Sequence, residues 1–424
     1  MMPKLKFLFI FISSIVIIFG CKSAQITKKI TKHFDEDFYD SQFTGLLVVD
    51  PASKDTIFNY NAHKYFTPAS NAKIFTLYTA LQVLQEKIPA FKYNIDKDTI
   101  TIQGTGDPTF LHSYFHDSTA LKMAQNFKKV ILILPHLSDE KYGPGWAWED
   151  YDAYFSPERS SFPMYGNVVT INNQNNLRSI PEVLEKNIQY SDSKYSRDFY
   201  KNNFYYNPKN NKTVEIPMVI NSFLIAELWN SLLPEKVFIA NHPSKKLDQI
   251  AYSVEADSLF KRMMHESDNF LAEQLLILSS STLSDTLSAD KIRNYMLENQ
   301  LKDLKQKPRW VDGSGLSRYN LFTPTSFVQV LTKLYTDLPR NRLFNLFPAG
   351  GEFGTLKNWY ASNSKPYIYA KSGTLGNNYS LSGYLITSSG KTLIFSFMNN
   401  HFMKPTDEVK NNMQAIFELL RDHY

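Results

Sequence analysis

Apolar and polar positions recur along this chain with periods that change several times, and the changes divide it. From Phe43 to Tyr60 the pattern alternates like a hairpin: Thr44-Gly-Leu-Leu-Val-Val-Asp50, a turn over Pro51-Ala-Ser-Lys-Asp55, then Thr56-Ile-Phe-Asn-Tyr60. Next, Ile74, Leu77, Leu81 and Leu84 fall at helical spacing, which predicts a helix with one buried face. From about Asp96 the texture changes to strands and loops. Thr99-Ile-Thr-Ile-Gln103 alternates, Gly104-Thr-Gly-Asp-Pro108 is a turn, and Lys129-Val-Ile-Leu-Ile-Leu134 predicts a short buried strand. Residues 172–215 are rich in Asn, Lys, Ser and Tyr with weak periodicity, which predicts surface loops. Ile220 to Leu233 is helical again.

Ser258 to Leu278 has helical spacing, interrupted by a polar break at Ser267-Asp-Asn269, and Ser326 to Leu334 predicts another helix. Three strands are expected in succession over Tyr367–Lys371, Ser380–Ile386 and Lys391–Phe397, with a closing helix over Glu408–Arg421. Helices plus an antiparallel sheet predict an α+β fold. Residues 96–239 read as a region inserted between two parts of one domain, 41–95 and 240–424. No internal repeat or low-complexity tract is present.

A chain of 424 residues predicts two or three domains. Its hydrophobic fraction of 43% and charged fraction of 21% exclude a disordered chain. The formal net charge of +5 is not gathered into a basic stripe, so no nucleic-acid partner is expected. The abundance of Asn, Lys, Tyr and Phe hints at sugar or peptide binding, against the blander reading of a biased composition. At the N-terminus, Lys4 and Lys6 precede an apolar run from Phe7 to Gly20, and Cys21, the single cysteine, follows at once. Such a run is short for a membrane span and suits the apolar core of an export signal. Residues 1–20 are therefore expected to be a signal peptide, and 21–40 a polar tether. With one cysteine, no disulfide or thiolate metal site is expected.

Three short segments carry chemistry. Ser70-x-x-Lys73 places an amine one helical turn from a hydroxyl, so that Lys73 can take the serine's proton. N–H groups at a helix start favour an anion developing beside Ser70. Alone the spacing says little, since Ser138/Lys141, Ser191/Lys194, Ser258/Lys261, Ser362/Lys365 and Ser388/Lys391 share it. Ser267-Asp-Asn269 sets a second hydroxyl beside an amide, and Lys371-Ser-Gly-Thr374 sits on a predicted strand. Read singly these are an N-cap, a surface lysine and a hairpin turn; S-x-x-K, S-D-N and K-[ST]-G in that order are the recurrent signature of class A β-lactamases and penicillin-binding proteins. His112 and His116, four apart, lack the glutamate of an H-E-x-x-H zinc motif, so no metal and no other cofactor is expected.

With these motifs the chain resembles the S13 family of serine D-Ala-D-Ala peptidases, the class C low-molecular-mass penicillin-binding proteins. Further segments carry the resemblance: Pro68-Ala-Ser-Asn-Ala-Lys-Ile-Phe-Thr76, Gly104-Thr-Gly-Asp-Pro-Thr-Phe110, Gly145-Trp-Ala-Trp-Glu-Asp150, Asp312-Gly-Ser-Gly-Leu-Ser-Arg318 and Pro348-Ala-Gly-Gly-Glu-Phe-Gly-Thr-Leu356. Two features depart from it: only 193 residues lie between Lys73 and Ser267, which implies an extra domain either reduced or missing, and Phe353 replaces a commoner acidic residue. Ile18-Phe-Gly-Cys21 resembles a bacterial lipobox, which implies lipidation at Cys21 and a periplasm-facing, membrane-anchored protein.

The resemblance implies a penicillin-binding-protein fold and a roster of roles. Ser70 is the nucleophile, Lys73 its base, Ser267 the proton donor to the leaving amine, and Asn269 a ligand of the substrate backbone. Lys371 would supply positive charge as a further catalytic residue, while Ser372, Gly373 and Thr374 bind substrate, the two hydroxyls holding the terminal carboxylate, and backbone N–H groups of Ser70 and Thr374 form an oxyanion hole. Asp312 and Arg318 read as structural. Peptidoglycan stem peptides are the implied substrates, cut by carboxypeptidase or endopeptidase action, and β-lactams the implied inhibitors. A β-lactamase of the same fold and a non-catalytic peptidoglycan-binding lipoprotein stay open as alternatives.

Overall fold

A computed structural model describes residues 25–34, 37–172, 177–207, 209 and 212–424. The apolar run from Phe7 to Gly20 and Cys21 lie outside the described residues. Along the chain come α1 (residues 25–34), β1 (Phe43–Val49), β2 (Thr56–Tyr60), α2 (Lys73–Val83), β3 (Lys87–Asp96), β4 (Thr99–Gly104), α3 (Thr119–Ala124) and β5 (Lys129–Ile133). Short strands follow: β6 (Val168–Asn172), β7 (Arg178–Ile180), β8 (Ile188–Tyr190), β9 (Phe204–Tyr206) and β10 (Val214–Pro217). Then come α4 (Ser222–Leu232), β11 (Val237–Ala240), β12 (Gln249–Glu255), α5 (Ala256–His265), α6 (Asn269–Ser280) and α7 (Ala289–Glu298). The chain closes with α8 (Pro324–Asp337), α9 (Arg340–Leu346), β13 (Ile368–Leu375), β14 (Asn378–Ile386), β15 (Thr392–Asn400) and α10 (Thr406–His423). None of the described helices is long and apolar enough to cross a membrane.

Contacts gather the described residues into two units, one of residues up to Ile74 with Asp303–Arg309 and Asn320–Tyr424, the other of Phe75–Lys302 with Trp310–Tyr319. The first unit holds an antiparallel sheet in the order β13-β14-β15-β1-β2. Its alternation follows the expected hairpins: Leu46 and Val48 of β1 point into a core shared with Phe395, Phe397, Phe417 and Leu420. The opposite face carries α8, whose start is set by Pro324 and a reciprocal Thr323–Ser326 capping box. Strand β13 runs four residues past Lys371, because the turn that ends it lies at Gly376-Asn377, with Asn377 at φ +64°. Residues 25–34, within the stretch expected to be a polar tether, are instead helical. Ile26, Ile30 and Phe34 recur every four residues and bury against Ile57, Phe58 and Phe397, with Phe34 stacked on Phe58 at 5.4 Å.

The second unit holds a mixed sheet in the order β11-β5-β4-β3-β12, parallel at β4–β5 and β5–β11. Its core is aromatic, with Trp229 stacked on Phe110 at 5.3 Å and edge-on to Phe162 at 5.8 Å. This sheet begins at Lys87 and ends at Glu255, so it reaches beyond 96–239 on both sides. The expected helix over Ser258–Leu278 is two helices, α5 and α6. The break is local: Ser267 takes φ +58°, and the Asp268 carboxylate caps α6 by accepting from Leu271 N at 2.9 Å. Residues 172–215, expected to be loops, contain β7 to β9 and the start of β10, strands of three or four residues that weak alternation could not reveal.

Candidate active site

In the first unit, the nucleophile candidate sits in a short 3-10 turn, Ala69–Ala72, that runs directly into α2. Ala69 is held at φ +48°, a left-handed conformation costly for alanine, so surrounding packing must enforce the turn. The enforcing contacts are visible. Asn400 of β15 accepts from Thr67 N at 2.7 Å and donates to Thr67 O at 3.1 Å. Asn71, buried between Ser70 and Ala72, donates from Nδ2 to Ser380 O of β14 at 3.1 Å. Together they fasten both sides of the turn to the sheet.

On that fastened turn, Lys73 Nζ donates to Ser70 Oγ at 2.9 Å. The Lys73 side chain is fully buried, while Ser70 keeps partial exposure. Lys371, on β13, is also fully buried and donates from Nζ to Ser372 O at 2.7 Å. Burial, and after it the charge of Lys73, push the Lys371 pKa well below the ordinary lysine range. Ser372 Oγ donates to Thr355 Oγ1 at 2.8 Å, and Thr374 is exposed. Gly373 is where strand and turn meet: a Cβ there would lie 2.5 Å from Pro68 O, 2.8 Å from Asn71 Nδ2 and 2.9 Å from Ser70 N. Only glycine lets β13 run this close to the nucleophile's backbone.

In the second unit, Ser267 stands between α5 and α6 and is partly exposed, and Asn269 Nδ2 donates to Phe155 O at 3.0 Å. Behind them α6 is anchored by a buried ion pair, Arg159 Nε to Glu273 Oε2 at 3.0 Å, with Glu273 Oε1 accepting from Ser314 N at 2.7 Å. The Arg159 guanidinium and the Ser314 amide draw the Glu273 pKa down against its burial. Gln274 adds bonds from Nε2 to Gly106 O at 2.9 Å and Ser160 O at 2.8 Å. Asp312 accepts from Trp146 Nε1, Gly315 N and Ser317 N at 2.6–2.9 Å, holding the Asp312–Arg318 loop. His112 accepts at Nδ1 from Tyr114 N at 3.1 Å, and burial lowers its pKa. Among the described residues no three His, Cys, Asp or Glu side chains cluster as metal ligands.

Ser70, Lys73, Lys371, Ser372, Gly373 and Thr374 thus come together in one unit, and Ser267 and Asn269 belong to the other. Sequence reasoning missed Asn71, Asn400, Arg159 and Glu273. Asn71 had a signal, as a polar residue at an inward position between Ser70 and Lys73; the others depend on partners more than a hundred residues away.

A family model described as D-Ala-D-Ala carboxypeptidase 3 (S13) family matches residues 26–225 and 222–423. The chain is 22% identical to D-alanyl-D-alanine carboxypeptidase DacB of Haemophilus influenzae over 445 aligned positions, covering 90% of each. Its fold is similar to the crystal structure of penicillin binding protein 4 from Haemophilus influenzae, with a TM-score of 0.71 at 19% identity, covering 94% of this chain and 99% of that one. The same protein complexed with a β-lactam aligns with a TM-score of 0.64 at 19% identity, covering 94% of this chain and 98% of that one. The expected penicillin-binding-protein-like α+β fold is borne out.

Proposed function

The chain belongs to the D-Ala-D-Ala carboxypeptidase 3 (S13) family, a family of serine peptidases, and from that premise we propose how its residues divide the reaction. The Ser70 hydroxyl attacks the carbonyl carbon of the penultimate D-Ala of a peptidoglycan stem peptide while Lys73 takes its proton. The single observation that carries this reading is the 2.9 Å bond from a buried Lys73 amine to Ser70 Oγ. The tetrahedral oxyanion falls to Ser70 N, against which Gly373 packs, and to Thr374 N, on the next residue of β13. Collapse breaks the C–N bond, and the terminal D-Ala leaves as an amine protonated by way of Ser267, with Asn269 holding the substrate backbone. Water then hydrolyses the Ser70 ester.

Lys371, Ser372 and Thr374 receive the terminal carboxylate. An arriving carboxylate stabilises the Lys371 ammonium that burial disfavours, which couples binding of a free C-terminus to the site's charge. β-Lactams acylate Ser70 as substrate mimics, and the same site has the chemistry to open D-Ala crosslinks as an endopeptidase. Residues 41–95 and 240–424 would form the catalytic part and 96–239 the insertion, with β3 and β12 from outside the insertion completing the sheet of β4, β5 and β11. Export and lipidation at Cys21 would hold the enzyme on a membrane facing the wall.

The test is release of D-Ala from an N-acetylated pentapeptide ending in D-Ala-D-Ala. The parent should release it and Ser70→Ala should not, while both melt at the same temperature. Equal release by the two proteins would remove Ser70 from the mechanism.

A further inference from the structure

The reaction leaves a set of aromatic side chains unused. Tyr154 is 69% exposed, Phe199 39% and Tyr200 82%. Large rings left in water are informative when they gather, because contiguous exposed apolar surface marks an interaction site. Phe199 and Tyr200 sit together, and the segment that carries Tyr154 is bonded to theirs. Tyr200 lies 4.7 Å from Phe199, and Phe199 lies 4.8 Å from the buried Tyr151, which precedes Tyr154 by three residues in the same segment of turns. Arg197, fully buried, donates to Asp198 O at 2.6 Å, Phe199 O at 3.1 Å and Tyr151 O at 3.2 Å. Tyr151 OH donates to Arg197 O at 2.8 Å, and Ser196 N to the Asp152 carboxylate at 2.5 Å. A loop pinned by so many bonds presents its rings without the entropic cost of ordering them at binding.

The segment carrying Tyr154 is tied to the S-D-N segment, since Phe155, the residue after Tyr154, accepts through its carbonyl from Asn269 Nδ2 at 3.0 Å. We propose that Tyr154, Phe199 and Tyr200 bind the amino-sugar strand to which a stem peptide is attached, a reading that rests on the carboxypeptidase function above. A pyranose ring offers a flat C–H face to an aromatic ring and hydroxyl and acetamido edges to neighbouring polar groups. Exposed tyrosines with Asp152, Asp198 and Lys201 beside them supply both kinds of partner. The same mixture argues against a membrane surface, which needs a cluster of basic side chains.

Two measurements on the full chain test this, comparing the parent with Tyr154→Ala/Tyr200→Ala and with Tyr200→Gln alone as the milder change. The first is co-sedimentation with glycan strands stripped of peptide. The parent should pellet with them and the double variant should bind roughly tenfold more weakly, about the value of one lost stacking contact. The second is kcat/KM on a disaccharide-linked pentapeptide against the sugar-free pentapeptide. The parent should prefer the first, and the double variant should lose that preference while keeping the sugar-free rate. Glycan binding unchanged by the substitutions, or equal losses on both substrates, overturns the proposal. So does a loss confined to binding of phosphatidylcholine vesicles. A parent that binds glycan but releases D-Ala from neither substrate supports glycan binding by these rings while refuting the carboxypeptidase reading.

Discussion

Gly373→Ala isolates the role of close approach between β13 and the nucleophile turn. The added methyl carbon would start 2.5 Å from Pro68 O, where an ordinary C···O contact is about 3.3 Å or more, so strand and turn must part by roughly 0.8 Å. Neither side moves freely. Gly373 pairs with Ser380 in the hairpin, and Ser380 O in turn accepts from Asn71 Nδ2. Overpacking of this kind costs about 1–3 kcal/mol of stability. The larger effect falls on catalysis, because the shift separates Ser70 N from Thr374 N, the proposed oxyanion donors. Losing one such donor costs on the order of 100- to 1,000-fold in rate, and a misplacement near 1 Å costs about 100-fold. The assay is the rate of penicillin acylation together with kcat/KM for D-Ala release, beside a thermal melt. The expected result is a fall of about 100-fold or more in both rates in a protein that still unfolds cooperatively. Rates within about threefold of the parent would refute the reasoning, since the methyl group would then fit without parting the donors.

Removing one partner of the buried Arg159–Glu273 pair, as in Arg159→Leu, should destabilise by about 3–5 kcal/mol, and Arg159→Leu/Glu273→Leu by clearly less than the sum of the two single changes, measured by urea denaturation. Asp107 is buried, and its pKa is raised from an ordinary 3.8 to about 6 by that burial. A carboxyl raised on folding contributes stability below its unfolded pKa and loses it as pH rises through its folded one. Stability should therefore fall between about pH 4 and 6 by roughly 3 kcal/mol, a slope that Asp107→Asn should abolish in urea melts across that range. Lys371, driven toward its neutral form by burial, should lose its hold on a substrate carboxylate as pH rises through its lowered pKa. KM for a peptide with a free C-terminus should then climb on the alkaline side, and Lys371→Met should raise KM at lower pH and flatten the climb.

What the sequence made legible was local. The β1–β2 hairpin, the helix after Ser70 and the last three strands each follow from periodicity and turn residues within some twenty positions. The break at Ser267-Asp-Asn269 was legible as polarity, though not as two helices, because the left-handed backbone at Ser267 leaves no compositional trace. What escaped was non-local. Nothing near Gly45 announces that it pairs with Met398, and Arg159 gives no sign of its partner Glu273. Strand β3 was missed because it reads only half-apolar, with a proline at Pro89. Helix α1 hid in a lysine-rich stretch whose three apolar residues carry the whole packing face. At the site, the motif residues stood out by chemistry. Asn71 and Asn400 did not, since a buried asparagine that fastens a turn looks like any other until its partners are seen.

In this mechanism Ser70, with Lys73 at its hydroxyl, is the acylating nucleophile. The most direct measurement is the intact mass of the parent and of Ser70→Ala after incubation with penicillin, followed by mapping of any adduct to its peptide. One penicilloyl group is expected on the parent, on the peptide containing Ser70, and none on Ser70→Ala. An adduct carried equally by both proteins, or a folded parent that stays unmodified and leaves the drug intact, would contradict this mechanism.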